Sequence, residues 1–301
     1  MPERATTFAE RHGCEAFPTL AAFLASNIQA MIIATPSGLH GPAAIQAARA
    51  GKHILCEKPL EVTREKADAV IRACEESGVL LASVFQSRFC RSVERIRETI
   101  AKGRFDRPVQ ASASVRWWRA PAYYTNAGWR GTWALNGGGA LMNQAIHTVD
   151  LLLHFNGEVA EVNGRATRIL HQGIEVEDTV AATLVFANGS LGSLEASTAC
   201  APGFPKRIEL SGTTGSAVLE DDRIVRWQFA EEQAGDEEVR RSCGLGEGLH
   251  GGSADPAAIS HEGHRRQIAE LADAILGRRP LSSPAGGARP ASAMRFRRFG
   301  S

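Results

Sequence analysis

Two short, almost wholly apolar runs constrain this chain most: Ala30-Met31-Ile32-Ile33-Ala34 and His53-Ile54-Leu55-Cys56. Neither alternates with polar residues, so each reads as a strand buried on both faces, which requires helices to cover it. The helices are there. One runs from about Pro42 to Ala50 and stops at Gly51; the next runs from Arg64 to Ser77 and stops at Gly78, ahead of a third strand from Val79 to Phe85. Successive strand-then-helix units make a doubly wound parallel sheet, and such sheets hold ligands at the carboxyl ends of their strands. Thr35–His40, Glu57–Pro59 and Gln86–Phe89 occupy those ends. Upstream, Ala5–His12 reads as a helix and Glu15–Phe17 as a short strand. Thr19 stands where the N-cap of a further helix belongs.

After a helix from about Ser92 to Lys102 the pattern changes to period two. Val109–Trp117, Val159–Ile169, Thr179–Phe186, Ser190–Thr198, Arg207–Ser211 and Ala217–Leu219 are strand candidates, interrupted by one clear helix from about Ala140 to Phe155. This is an α+β domain on an open, mostly antiparallel sheet with one face covered by helices. Gly244–Pro256 reads as a glycine-rich loop, Glu262–Leu276 as a last helix, and 282–301 as a poorly structured tail. The expected division is 1–90 for the parallel domain and 91–281 for the second.

A chain of 301 residues with 34 basic and 33 acidic side chains carries no polyanion-binding field, so nucleic acid is excluded as a partner. The longest apolar stretches, Met31–Ala34 and Leu151–Phe155, fall far short of the roughly 20 residues a membrane helix needs. No secretory signal opens the chain, which makes the cytoplasm the expected compartment. The cysteines are scattered, and His261 and His264 have no evident third ligand, so neither a metal site nor a disulfide framework is expected.

Lys58 lies just past a buried strand, between Glu57 and Pro59, where its amine can reach the ligand crevice. Gly137-Gly138-Gly139 opens an apolar helix that presents Asn143 and His147 on one face, with Asp150 and His154 continuing along it. An imidazole titrating near neutrality suits acceptance of a hydroxyl proton. On residues alone, the alternatives are a surface lysine and a satisfied core histidine. Trp117, Trp118, Tyr123, Tyr124, Trp129 and Trp133 crowd around Arg130, a composition that suits a sugar ring or a nicotinamide, or simply a loop packed on its own sheet.

These residues resemble the Gfo/Idh/MocA family of NAD(P)-dependent sugar and inositol dehydrogenases. The resemblance rests on Ala34 through His40, on Ala50-Gly51-Lys52-His53-Ile54-Leu55-Cys56-Glu57-Lys58-Pro59, and on Gly137-Gly138-Gly139 through His147 to Asp150. It covers about residues 5 to 280. It implies a Rossmann domain binding NAD or NADP, followed by a domain that forms the substrate pocket and often a homo-oligomer contact, as dimer or tetramer. Lys58 then matches the lysine beside the reacting hydroxyl and His147 the acid/base. Asn143, Arg130 and Tyr124 would hold the sugar, and Thr35, Pro36, Ser37, His40, Glu57, Lys58, Gln86 and Trp129 would line the cofactor site. Asn143 stands where many members carry Asp, and Ala140-Leu141-Met142-Asn143-Gln144 looks most like the branch acting on nucleotide-linked amino sugars and uronic acids.

The family normally opens with a strand, a GxGxxG turn, a helix and a second strand ending in a ribose-binding acid; this sequence shows only Gly13 before Gly38. A β-helix-β segment of roughly 30 residues is therefore expected to be missing, leaving an incomplete Rossmann-like sheet. The order 3-2-1-4-5-6 places the absent strands between Glu15–Phe17 and Ala30–Ala34, so Met31–Ala34 should present an open edge. Losing two or three charge-assisted phosphate contacts would weaken cofactor binding by roughly two to six powers of ten. The resemblance fades after Arg279-Pro280-Leu281, as a shortened reading with a frame change near its end would produce. The expectation is NAD(P)-dependent oxidation or reduction of a sugar hydroxyl. The alternatives are a non-catalytic, cofactor-deficient sugar-binding remnant, and reduction of a non-sugar carbonyl on the same scaffold.

Overall fold

The computed structural model describes residues 2–126, 128–244 and 261–282. Helix α1 spans Pro2–His12 and α2 spans Leu20–Ala25; Thr19 caps α2 by accepting the Ala22 N–H at its hydroxyl, 3.1 Å away. Three parallel strands follow, β1 (Ala30–Ile33), β2 (His53–Cys56) and β3 (Leu81–Ser83), in spatial order β1-β2-β3. Helices α3 (His40–Arg49) and α4 (Arg64–Glu76) cover one face. There Ile33, Ile54, Ala44, Ala47, Val70 and Ile71 form a closed apolar layer. The expected burial on both faces holds for β2, where Ile54 and Leu55 are both buried; in β1 Met31 and Ile33 are buried but Ile32 is exposed, so the outer strand is covered on one face only.

Glu15–Phe17 does not form the expected strand. Among the described residues β1 is an edge with no strand on its outer side, and a segment without a hydrogen-bonding partner has no reason to extend. Ile32 on that edge is 56% exposed.

Helix α5 (Arg91–Ala101) leads into β4 (Pro108–Arg116), then α6 (Ala122–Thr125), a wide turn at Ala140–Gln144, and α7 (Ile146–Asn156). Strands β5 (Val159–Thr167), β6 (Thr179–Phe186), β7 (Leu191–Ser197), β8 (Arg207–Gly212), β9 (Gly215–Glu220) and β10 (Arg223–Phe229) complete a seven-stranded sheet ordered β10-β9-β8-β4-β7-β6-β5. Only the β4–β7 pairing is parallel. Alternation puts Val115, Leu184, Leu194 and Ile208 against α5 and α7, while Leu191 and Val225 stay exposed on the open face.

Four further elements depart from the sequence reading. The single helix expected over 140–155 is split, because Gly139–Gln144 is held from outside in a π turn. Strand β10 was not expected; it follows β9 through Asp221 and Asp222, both at positive φ, where the usual hairpin signal is Asn-Gly. Helix α8 (Asp236–Gly244) was also unforeseen, and Asp236 is its anchor. Helix α9 (Glu262–Ile275), expected with the second domain, packs instead on the three-stranded sheet, where Leu271 and Ile275 meet Leu55, Ala82 and Val84. Gln267 fixes it there, donating to the Ser83 carbonyl (2.7 Å) and accepting from the Phe85 N–H (3.2 Å). The expected glycine-rich loop Gly244–Pro256 and the tail 282–301 lie outside the described residues except for Gly244, which ends α8, and Ser282. No described helix is long and apolar enough to cross a membrane.

Candidate active site

Lys58 reaches across the domain junction. Its Nζ donates to the carbonyl of Asn143, 2.8 Å away, from the strand end after β2 to the turn before α7. Burial lowers the Lys58 pKa, and the neighbouring Glu57 carboxylate partly restores it. Glu57 also accepts the Lys58 backbone N–H, 3.1 Å, so it serves the same residue twice.

Asn143 cannot move freely. Its Nδ2 donates to Asn136 Oδ1 (2.9 Å), its Oδ1 accepts from Gln144 Nε2 (2.9 Å), and Asn136 in turn donates to the Gly138 carbonyl. Gln144 Nε2 also donates to the Tyr123 hydroxyl, 2.8 Å, while Arg119 Nη2 donates to Gln144 Oε1, 2.9 Å. The glycines ahead of this turn serve packing. A Cβ on Gly137 would stand 2.7 Å from Val62, and one on Gly139 would overlap the Glu177 carbonyl oxygen. Glu177 then fixes the turn with its side chain, accepting the N–H groups of Gly139 (3.0 Å) and Leu141 (3.1 Å). Ala145 N–H reaches back five residues to Ala140, the π geometry that recurs at functional sites.

His147 stands one helical turn beyond Asn143, edge-on to Phe85 with ring centres 6.0 Å apart. Its Nε2 lies 3.5 Å from Gln86 Nε2, while its Nδ1 is buried without a protein partner. Burial first, and then the positive charge of Lys58, hold its pKa well below the ordinary 6.5, so the ring is neutral at physiological pH. Lys58, Asn143, Gln86 and His147 therefore form one group, contributed by both domains. A neutral imidazole beside an ammonium can take a proton from a hydroxyl while the ammonium stabilises the oxygen left behind.

Other expected site residues are committed elsewhere. His40 is buried, with Nδ1 2.8 Å from the Pro59 carbonyl and Nε2 2.7 Å from the Thr35 carbonyl; instead of facing a cofactor it ties two strand-end loops together. Ser37 is buried at the same junction, and Pro36 precedes its turn. Gly38 donates to the Leu135 carbonyl, and a Cβ there would overlap the Ala134 oxygen. The Tyr124 hydroxyl bonds to Thr198 Oγ1 (2.9 Å) and its ring packs on His171, so Tyr123, one residue earlier, is the tyrosine in the Asn143 network. Arg130 lies over the Tyr123 ring, 4.1 Å from its centre, and donates to the Tyr123 carbonyl. Trp129 flanks that guanidinium at 5.5 Å. Asp150 makes a buried two-pronged pair with Arg88 (2.7 and 2.5 Å), fastening α7 to the Gln86 turn. Partial burial, and then the positive charges of Arg88 and Arg97, push the His154 pKa down to about 4. No His, Cys, Asp or Glu cluster suited to a metal occurs among the described residues.

Sequence reading missed Asn136, Gln144, Tyr123, Glu177 and the approach of α9. Asn-Gly-Gly-Gly at 136–139 is the one local signal that could have added Asn136.

Residues 93–218 match the model of the GFO/IDH/MocA C-terminal domain, and residues 1–85 match that of the oxidoreductase family, NAD-binding Rossmann fold. The WlbA dehydrogenase of Bordetella pertussis, solved with NADH and UDP-GlcNAcA, superposes with a TM-score of 0.86 at 30% identity, covering 97% of this chain and 82% of that one. The chain belongs to the Gfo/Idh/MocA family. A second family structure, levoglucosan dehydrogenase with NADH and levoglucosan, superposes with a TM-score of 0.81 at 27% identity, covering 97% and 83%. In sequence, the levoglucosan dehydrogenase of Pseudarthrobacter phenanthrenivorans is 32% identical over 235 residues, which are 69% of this chain and 60% of that protein. The chain thus spans about three fifths of that relative's length. The residues present fit the nicotinamide end of a family cofactor: Gln86 Oε1 and His147 Nδ1 are buried polar atoms with no protein partner, beside a half-buried ammonium at the carboxyl end of the sheet.

Proposed function

We propose that this protein oxidises, or in reverse regenerates, a ring hydroxyl of a sugar or sugar derivative with NAD or NADP. The bond from Lys58 Nζ to the Asn143 carbonyl carries this reading, because it places an ammonium from one domain one helical turn from the imidazole of the other. Bound nicotinamide dinucleotide supplies the hydride acceptor. His147 Nε2 takes the hydroxyl proton, and its depressed pKa ensures that it starts unprotonated. Lys58 exchanges its Asn143 contact for the substrate oxygen and stabilises the alkoxide. Asn143 orients a neighbouring hydroxyl. Arg130, stacked on Tyr123, bounds the far side of the pocket, and Tyr124 shapes it by packing rather than through its bonded hydroxyl. Thr35, Pro36, Ser37, Glu57, Gln86 and Trp129 would border the nicotinamide half of the cofactor; His40 would hold that border in shape.

Within this class we place the substrate among nucleotide-linked amino sugars or uronic acids, supported by likeness to a structure holding UDP-GlcNAcA. We further propose a cytoplasmic homo-oligomer joined through the open face of the seven-stranded sheet, where Leu191 and Val225 are 58% and 50% exposed. Reduction of NAD+ and NADP+ by a panel of sugars and nucleotide sugars tests the reaction. His147→Ala should lower kcat by about 10²–10⁴-fold and Lys58→Ala by about 10²–10³-fold. Turnover that survives both substitutions ends the assignment. Sugar-dependent thermal stabilisation with no response to either dinucleotide would favour the sugar-binding alternative.

A further inference from the structure

Helix α9 brings a third ionisable group to the edge of the Lys58–His147 pair. Its second residue, Gly263, is so close to the Gln86 turn that a Cβ would stand 2.6 Å from the Gln86 carbonyl oxygen, and Gln86 is the residue beside the His147 imidazole. Arg266 donates to the Phe89 carbonyl and pairs with Glu94, and Gln267 bonds Ser83 and Phe85 at the carboxyl end of β3, so the amino end of α9 is fixed on three sides. The next side chain on this face is His264. Its Nε2 lies 3.8 Å from Glu57 Oε1, while the other oxygen of Glu57 holds the Lys58 N–H.

We propose that His264 is a positioning residue of the reaction assigned above: through Glu57 it sets how strongly the Lys58 ammonium is held, and its charge reaches His147 across the crevice. Among the described residues, Glu57 is the carboxylate that supports the charge on Lys58. When His264 carries a proton, it competes for that carboxylate and adds a positive charge facing His147, which already feels Lys58 and Lys206. The remaining charged groups on this end of α9 are paired away, Glu262 with Arg265 and Arg266 with Glu94. Thus the charge state of His264 is transmitted to both reacting groups without contact to substrate.

The inference rests on the proposed reaction, yet it can be tested without turnover. The full chain labelled at histidine carbons is titrated by NMR as wild type, His264→Gln and His264→Lys, with His261→Gln as a control on the same exposed helix end. The His147 midpoint should rise in His264→Gln and fall in His264→Lys, by about 0.3 unit or more each, and stay unchanged in His261→Gln, since nearby charge favours or disfavours the imidazolium directly. In the kinetic arm, His264→Gln should change kcat about 3-fold or more with KM within about twofold, and should move the acid limb of the pH profile upward. Coincident His147 titrations in all four proteins overturn the proposal whatever the activity. Shifted titrations without sugar-dependent turnover in the wild type retain the field effect and refute the proposed reaction.

Discussion

Glu177→Ala tests whether the glycine turn is built from outside. The wild-type carboxylate receives two backbone donors, Gly139 N–H at 3.0 Å and Leu141 N–H at 3.1 Å. Stranding a buried donor costs about 1–3 kcal/mol, so two cost about 2–6 kcal/mol. The Ala140 N–H keeps its bond to the Glu177 carbonyl, which the substitution leaves in place, so the turn loosens rather than unravels. At about 2–4 °C per kcal/mol for a domain of this size, the Tm should fall by about 4–24 °C. Glu177→Gln separates geometry from charge, because an amide oxygen can accept both donors. Burial raises the Glu177 pKa, so the folded value lies above the unfolded one and ionisation works against the folded state. That penalty is complete above the folded pKa and disappears on acidification below the unfolded one. Glutamine escapes it; relative to wild type, Glu177→Gln should do best at alkaline pH and lose ground toward pH about 4. Calorimetry of the three proteins at both ends of that range decides. An alanine variant melting within about 2 °C of wild type, or a glutamine variant falling as far as alanine, would refute the argument.

Other expectations follow from the same contacts. Because burial and Lys58 depress His147 below 6.5, the acid limb of kcat/KM for oxidation should lie below that value and move upward in Lys58→Met; a wild-type limb at 7 or above contradicts this. Arg88→Met leaves Asp150 buried without its counter-charge and should cost about 3–5 kcal/mol in urea denaturation, with Gln86 displaced from His147. Hydrogen bonds from Arg104 hold Asp236 well below the usual carboxylate range, so its contribution is complete above the ordinary aspartate pKa and is lost as pH falls through its own. Asp236→Asn should flatten the acid side of the stability curve between about pH 7 and pH 2, and an unchanged slope would show that the pair does not act on folding.

Much of the architecture was legible because it depends on period. The unbroken apolar runs at 30–34 and 53–56 announced a covered parallel sheet, and alternation in 179–186 and 190–198 announced a half-open one. Lys58 and His147 could be named because each stands beside a punctuating feature, Pro59 in one case and the glycine run in the other. What the sequence leaves open shares a cause. His40, Tyr124 and Asp150 each carry polar chemistry, and only the positions of Pro59, Thr198 and Arg88 show which partners take it. Glu177 and His264 carry no local mark at all, since their partners lie 38 and 207 residues away in the chain.

By itself, then, the sequence determined the two kinds of sheet and most of the helices that cover the first of them, since these follow from spacing and intrinsic side-chain character. The tertiary structure decided the rest: that the Lys58 ammonium bonds the Asn143 carbonyl in the turn before His147, that the tyrosine at 123 rather than 124 joins the Asn143 network, and that the last helix returns to the first sheet. Those are matters of which polar group finds which partner once water is excluded, and a buried donor or charge takes its partner from whatever the folded chain brings near.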